Sequence, residues 1–125
     1  MAAIFLAAAL GVMLFSSALL APLIFAKLSP DAAGPLLRAF WPRYYAVNGG
    51  LAVLAAVLAA QDYVALLAAS VAVMMGVSLA ATPALNRARD EGRHAAFSFG
   101  HRAVVAINLF ALVTLGWAVW QSLQG

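Results

Sequence analysis

The sequence predicts an all-α membrane protein: four transmembrane helices in an up-down bundle, with a short interfacial amphipathic helix between the first and the second. Composition is the first reason. The chain has 125 residues, 66% hydrophobic and 9% charged, whereas water-soluble domains carry about 25% charged residues. Its mean hydropathy is +1.00. The second reason is distribution, because the ionisable side chains fall in short segments that separate long uncharged stretches. The third is the absence of period-two alternation in runs such as Leu51-Ala52-Val53-Leu54-Ala55-Ala56-Val57-Leu58. A membrane strand would alternate apolar and polar residues, so helices are the remaining way to satisfy the backbone inside lipid. Residues 1–125 are expected to form one domain, as roughly 100–200 residues make one such unit.

The first span is expected within Met1–Ala26, where no side chain ionises; about 20 apolar residues suffice to cross the hydrocarbon core. A cleaved leader would want a basic start and a small-residue cleavage site. No Lys or Arg precedes Lys27, and Pro22 follows Ala21, so the segment is expected to be retained. The next connection is more than a turn. Ser29-Pro30-Asp31 has the hydroxyl, proline and acid that start a helix. Leu36, Leu37, Phe40 and Trp41 then recur at helical spacing, which predicts a short amphipathic helix on the inner surface, ended by Pro42.

The second uncharged stretch runs from Tyr44 to Gln61, the third from Tyr63 to Asn86 and the fourth from Ala103 to Gly125. Between the third and fourth, the third helix is expected to continue past the membrane, with Arg87 and Glu91 paired one turn apart and Gly92 closing it. All seven cations lie in or beside the first and third connections, and the second carries only Asp62. Basic loops stay in the cytoplasm. The expected location is therefore a bacterial inner membrane, with both termini and the Gln61-Asp62 turn outside. Aromatic residues that prefer the headgroup level agree: Trp41, Tyr44 and Tyr45 fall at the predicted inner edge, and Tyr63, Trp117 and Trp120 at the outer edge.

Composition also excludes chemistry. With no cysteine there can be no disulfide, thiolate zinc site, iron–sulfur cluster or cysteine nucleophile. A net charge of +3 is accounted for by topology, and no basic face interleaved with aromatics exists for nucleic acid. Asp31, Asp62, Asp90 and Glu91 are placed in loops, leaving no carboxylate pair at a buried site. An enzyme is not expected, nor a cofactor. His94 and His101 sit on one stretch and cannot clasp a haem from opposite faces. Met74 and Met75 could act as soft ligands together with His101, but their predicted depth is nearer the midplane, where methionine usually fills core.

Polar residues inside lipid usually face protein. Ser78, Thr82 and Asn86 form one stripe on the third span, and Pro83 frees a carbonyl that the Thr82 hydroxyl could satisfy. His101 and Asn108 are seven residues apart, two helical turns, on one face of the fourth span. On the second, Asn48 precedes Gly49 and Gly50, which permit close helix approach. The expected site is an inward-opening polar pocket made by Asn48, Thr82, Asn86, His101 and Asn108, with Tyr44 or Tyr45 nearby. The competing expectation is a hydrogen-bond network that only fixes packing.

Several of these residues resemble the transmembrane protein 205-like family of four-helix membrane proteins, whose bacterial members form a domain of unknown function. The resemblance rests on Phe25 with Leu28 and Pro30, on Phe40-Trp41-Pro42-Arg43-Tyr44, on Asn86 with its arginines, and on Phe97 with His101 and Asn108. Where the family has Phe-Pro this chain has Trp41-Pro42, and Arg102 after the histidine also departs from the pattern. The resemblance implies a similar span count and loop order over most of the chain. Animal relatives are associated with resistance to platinum drugs and their export, which implies transport or trafficking of metal-like cargo, with His101 and Asn108 as the matching polar positions. Without cysteine, this chain has fewer soft ligands for such cargo. The function expected is binding or transport of a small solute or metal by a bilayer-embedded protein that forms a homo-oligomer or joins a larger complex. The alternative is a structural accessory subunit of such a complex.

Overall fold

A computed structural model describes residues Met1–Gly125, and it is all-helical, without strands. Four long helices account for nearly the whole chain: α1 (Ala2–Lys27), α2 (Pro30–Leu58), α3 (Asp62–Asp90) and α4 (His94–Gln124). At about 1.5 Å per residue, helices of 26 to 31 residues outreach a hydrocarbon core of about 30 Å. Three of them, α1, α3 and α4, are long and apolar enough to cross a membrane. Neighbours in the chain pack together, and α1 also packs on α4.

Buried positions explain how the helices meet. In α1 they are Ala2, Leu6, Ala9, Met13 and Ser16; in α3, Val64, Ala68, Val71, Met75 and Ser78. Both sets step alternately by four and three residues, the spacing that keeps one seam against a slightly inclined neighbour. Much of the seam is alanine, including Ala52, Ala55, Ala111 and Ala118, so backbones approach closely where burial of apolar surface gives little help within lipid. The outward faces carry Phe99, Phe110, Val113 and Leu123, all exposed. Such faces suit lipid and not water.

Within α1 the seam jumps from Ser16 to Ala21. The cause is a π-helical segment, Phe15–Leu20, in which the Ala21 amide reaches back to the Ser16 carbonyl. Pro22 follows at once; its ring would press on the carbonyl four residues back in a regular helix, and the wider turn removes that conflict. The extra residue rotates everything downstream. Ala21 and Ile24 become the buried positions, and Ile24 joins Ala33 and Leu37 of α2 in a small cluster separate from the main core.

The separate interfacial helix expected before Pro42 does not form. Residues from Pro30 onward belong to one helix of 29 residues that passes through both Pro35 and Pro42. A proline removes one backbone donor, and the helix survives where neighbouring groups compensate and packing grips both sides. The Arg43 guanidinium donates to the Ala39 carbonyl at 2.6 Å, next to the Arg38 carbonyl that Pro42 leaves without an amide partner. On either side Leu37 is held by α1, and Tyr44 and Tyr45 by the core. Ser29 does occupy the position before Pro30, but its hydroxyl makes no capping bond; the Ser29 carbonyl accepts from Ala32 and Ala33 instead.

The end of α3 follows expectation in its backbone and not in its ion pairs. Gly92 has φ +70°, Arg93 donates to the Ala88 carbonyl and Gly92 to that of Arg89, the two bonds of a Schellman cap. Glu91, however, pairs with Arg93 at 2.8 Å and not with Arg87. Asp90, the last helical residue, takes Arg38 of α2 through both guanidinium nitrogens. These chain reversals leave the cationic ends of α1 and α3 beside those of α2 and α4.

Candidate functional site

At that cationic end the helices enclose a cavity of about 420 Å³, within the range of small-molecule sites. Each helix contributes a polar group. Ser17 comes from the π segment of α1, Arg38 and Tyr45 from α2, Thr82, Asn86 and Arg89 from α3, and His101 and Asn108 from α4. Apolar walls come from Phe25, Leu37, Trp41, Leu85, Val104 and Leu109. Four of the six residues expected at the pocket, Thr82, Asn86, His101 and Asn108, are therefore brought together.

The other two are not. Tyr44 is 2% exposed and lies in the core behind the cavity, where its hydroxyl donates to Asn108 Oδ1 at 2.7 Å and sits 3.5 Å from Ser17 Oγ. Asn108 Nδ2 donates to the same Ser17 oxygen at 3.3 Å. Ser17, Tyr44 and Asn108 thus form a three-helix node beside the cavity. Asn48 is fully buried, with Nδ2 donating to the Tyr44 carbonyl of its own helix. Its Oδ1 has no partner, nor has the buried Ser78 hydroxyl. Asn48 belongs to the seam where Gly49 meets Met75, not to the cavity. The Thr82 hydroxyl bonds back to the Ser78 carbonyl at 2.9 Å, a local bond within its helix.

Tyr44 and Tyr45, read at the inner edge of the membrane, fill space between the helices and belong to the core. They belong to an aromatic group in which Trp41 meets Tyr44 edge-on at 5.0 Å and Tyr45 nearly parallel at 6.2 Å. Tyr63, Trp117 and Trp120 are exposed at the other end.

Across the cavity a second stack links α3 to α4. The Arg89 guanidinium lies 5.7 Å from the Phe97 ring centre, and Phe97 stacks on His101 at 5.5 Å with 17° between planes. Arg89 has no carboxylate partner; the two ion pairs are Arg38–Asp90 and Arg93–Glu91. Asn86 and His101 make no side-chain hydrogen bond within the protein. Their polar atoms are therefore available to a ligand.

A metal reading has less behind it. No group of three or more His, Asp or Glu side chains converges anywhere. Met75 is fully buried in the core, and Met74 faces a shallow groove with Leu66, Val73 and Phe110. The structure does not bring either to His101.

Sequence reasoning missed Ser17, Arg38 and Arg89. Ser17 lies on the first span, outside the polar positions read on the other three helices. The available signal was helical spacing within the first span, which puts Ser17 one turn beyond the buried Met13.

Long apolar helices with outward hydrophobic faces, closed by a cationic polar end, define a small integral membrane domain. Residues 4–94 match the family described as "Domain of unknown function (DUF4149)", and the chain belongs to that family. The match ends before His101 and Asn108. No curated protein and no solved structure matches the chain.

Proposed function

We propose that the chain is a bacterial inner-membrane protein that binds a small solute, or helps to move it, through the cavity between Asn86, Arg89 and His101. In this reading all four helices cross the membrane as an up-down bundle, α2 by its uncharged part beyond Arg43, with the cationic end in the cytoplasm and both termini outside. Support for α2 as a span comes from Ala52 and Ala55 buried in the common core, while Val53, Leu54 and Val57 on the same turns are exposed. The cation distribution supports the orientation. A closer kinship with the transmembrane protein 205-like family, and a homo-oligomeric or complexed state, belong to the same proposal.

The observation that carries the binding role is that Asn86 and His101 line the cavity without any internal hydrogen bond. Neither is sealed in the helix seam, so their polar atoms face whatever fills the cavity, whereas Asn108 and Thr82 spend theirs on protein. A thermal-shift survey of cytoplasmic small molecules tests the role. A true ligand raises the melting temperature of the wild type and not of Asn86→Ala or His101→Ala, whose own melting temperatures stay near wild type. If no solute protects and a stoichiometric protein co-purifies in mild detergent, the accessory-subunit reading replaces this one.

A further inference from the structure

The cavity has an uneven wall. Phe25 of α1 and Val105 and Leu109 of α4 line it and are also 67%, 43% and 58% exposed. A residue can do both only at a mouth. The mouth lies between the first and fourth helices, and their packing shows why: the Ala2–Leu14 part of α1 packs along α4, whereas the Ala21–Lys27 part keeps its contacts with α2. Beyond Ser17 the two helices part. Those exposed side chains are apolar, so the gap faces lipid tails and not water. Charge in the lining is graded as well: Arg38, Arg89 and His101 stand toward the helix ends, while Val104, Val105 and Leu109, with the neutral Ser17 and Asn108, line the part farther along the helices.

Charge selects the head group. Arg38 lends its guanidinium to Asp90; Arg89 lies by the Phe97 ring and makes no salt bridge, with Asp90 acting on it only as a more distant charge already held by Arg38. Asn86 offers an uncommitted amide one turn from it. An unpaired guanidinium with a neighbouring amide donor suits an oxyanion, which accepts charge-assisted hydrogen bonds from both. A cationic head would meet arginine with no carboxylate at the wall.

From these observations we infer that the ligand is an anionic amphiphile, an oxyanion head on a single aliphatic chain, which enters sideways from the lipid between α1 and α4. Its head rests against Arg89 and Asn86, and its tail runs past Val105 and Leu109 through the mouth at Phe25. The inference rests on the cavity being a ligand site.

Trp41 lines the cavity, whereas Trp117 and Trp120 lie exposed at the far end, so Trp117→Phe with Trp120→Phe leaves one local reporter. In phosphatidylcholine nanodiscs, 11-bromoundecanoate is expected to quench Trp41 saturably. Dodecyl phosphate should compete, while dodecyltrimethylammonium and inorganic phosphate at the same concentration should not. Arg89→Gln is expected to weaken binding about tenfold, and Arg89→Lys or the off-site Arg102→Gln no more than about threefold. Competition by inorganic phosphate as strong as by dodecyl phosphate identifies a free-anion site and overturns the amphiphile while leaving the cavity a ligand site. Equal competition by dodecyltrimethylammonium overturns the charge selection. Absence of saturable quenching, alongside protection by a polar solute that needs His101, overturns this inference alone; absence of both overturns the binding role too.

Discussion

Removing the Tyr44 hydroxyl separates packing from binding most cleanly. At 2.7 Å its bond to Asn108 Oδ1 has the ideal length for a hydroxyl donor; the contacts to Ser17 at 3.3 and 3.5 Å are much weaker. Hydrogen bonds between membrane helices average about 0.6 kcal/mol, with a maximum near 1.7. A buried acceptor left bare costs about 1–3 kcal/mol, but Asn108 borders the cavity, where a water can replace the lost donor. Tyr44→Phe should therefore cost about 1 kcal/mol, between those limits. A double-mutant cycle with Asn108→Ala, read from unfolding in detergent–dodecyl sulfate mixtures, should give a coupling of similar size. A coupling within the additivity error of about 0.3–0.5 kcal/mol would refute the node. Thr82→Val, whose hydroxyl serves only its own helix, should show no coupling to Asn108.

Other outcomes follow from close contacts and helix ends. A methyl group on Gly100 would overlap the tip of Leu85, so Gly100→Ala should cost about 1 kcal/mol, the low end for overpacking; in a Leu85→Ala background the same change should stabilise by about 0.5–1 kcal/mol, through helix propensity. Failure of the sign to reverse would show that the helices do not meet there. Gly92→Ala places a Cβ at φ +70° and should cost about 1–2 kcal/mol, with Gly92→Asn milder. Arg38→Gln breaks a pair whose side chains are 39% and 57% exposed, and such pairs add little; melting temperature should barely move, and less so in high salt.

The helical class and three of the spans were legible because charge and apolarity are read directly from residue type, as from Tyr63 to Asn86. The polar stripe was legible for the same reason: Thr82, Asn86, His101 and Asn108 keep strict helical spacing and do share a cavity. What stayed hidden depends on local departures from regular geometry. Pro42 reads as a helix end, yet packing on both sides carries the helix through it. The π segment before Pro22 rotates Ala21 and Ile24 by one residue's worth of turn, which no fixed period anticipates. Tyr44 and Tyr45 have the composition of a membrane interface, but only the packing of neighbours decides whether they face it. Arg89 reads as a topology signal, and its place in the cavity wall emerges only once Phe97 is set beside it.

The proposed inward-facing site depends on α2 crossing the membrane with the other three helices. The chain has no cysteine, so single thiols can be introduced at Leu28→Cys, Gln61→Cys, Glu91→Cys and Gln124→Cys and probed with a membrane-impermeant maleimide on intact spheroplasts. Labelling at positions 61 and 124 alone, with 28 and 91 reached only after lysis, is the predicted result. If 28 and 61 behave alike, α2 lies along one surface, and the cytoplasmic cavity described above cannot exist.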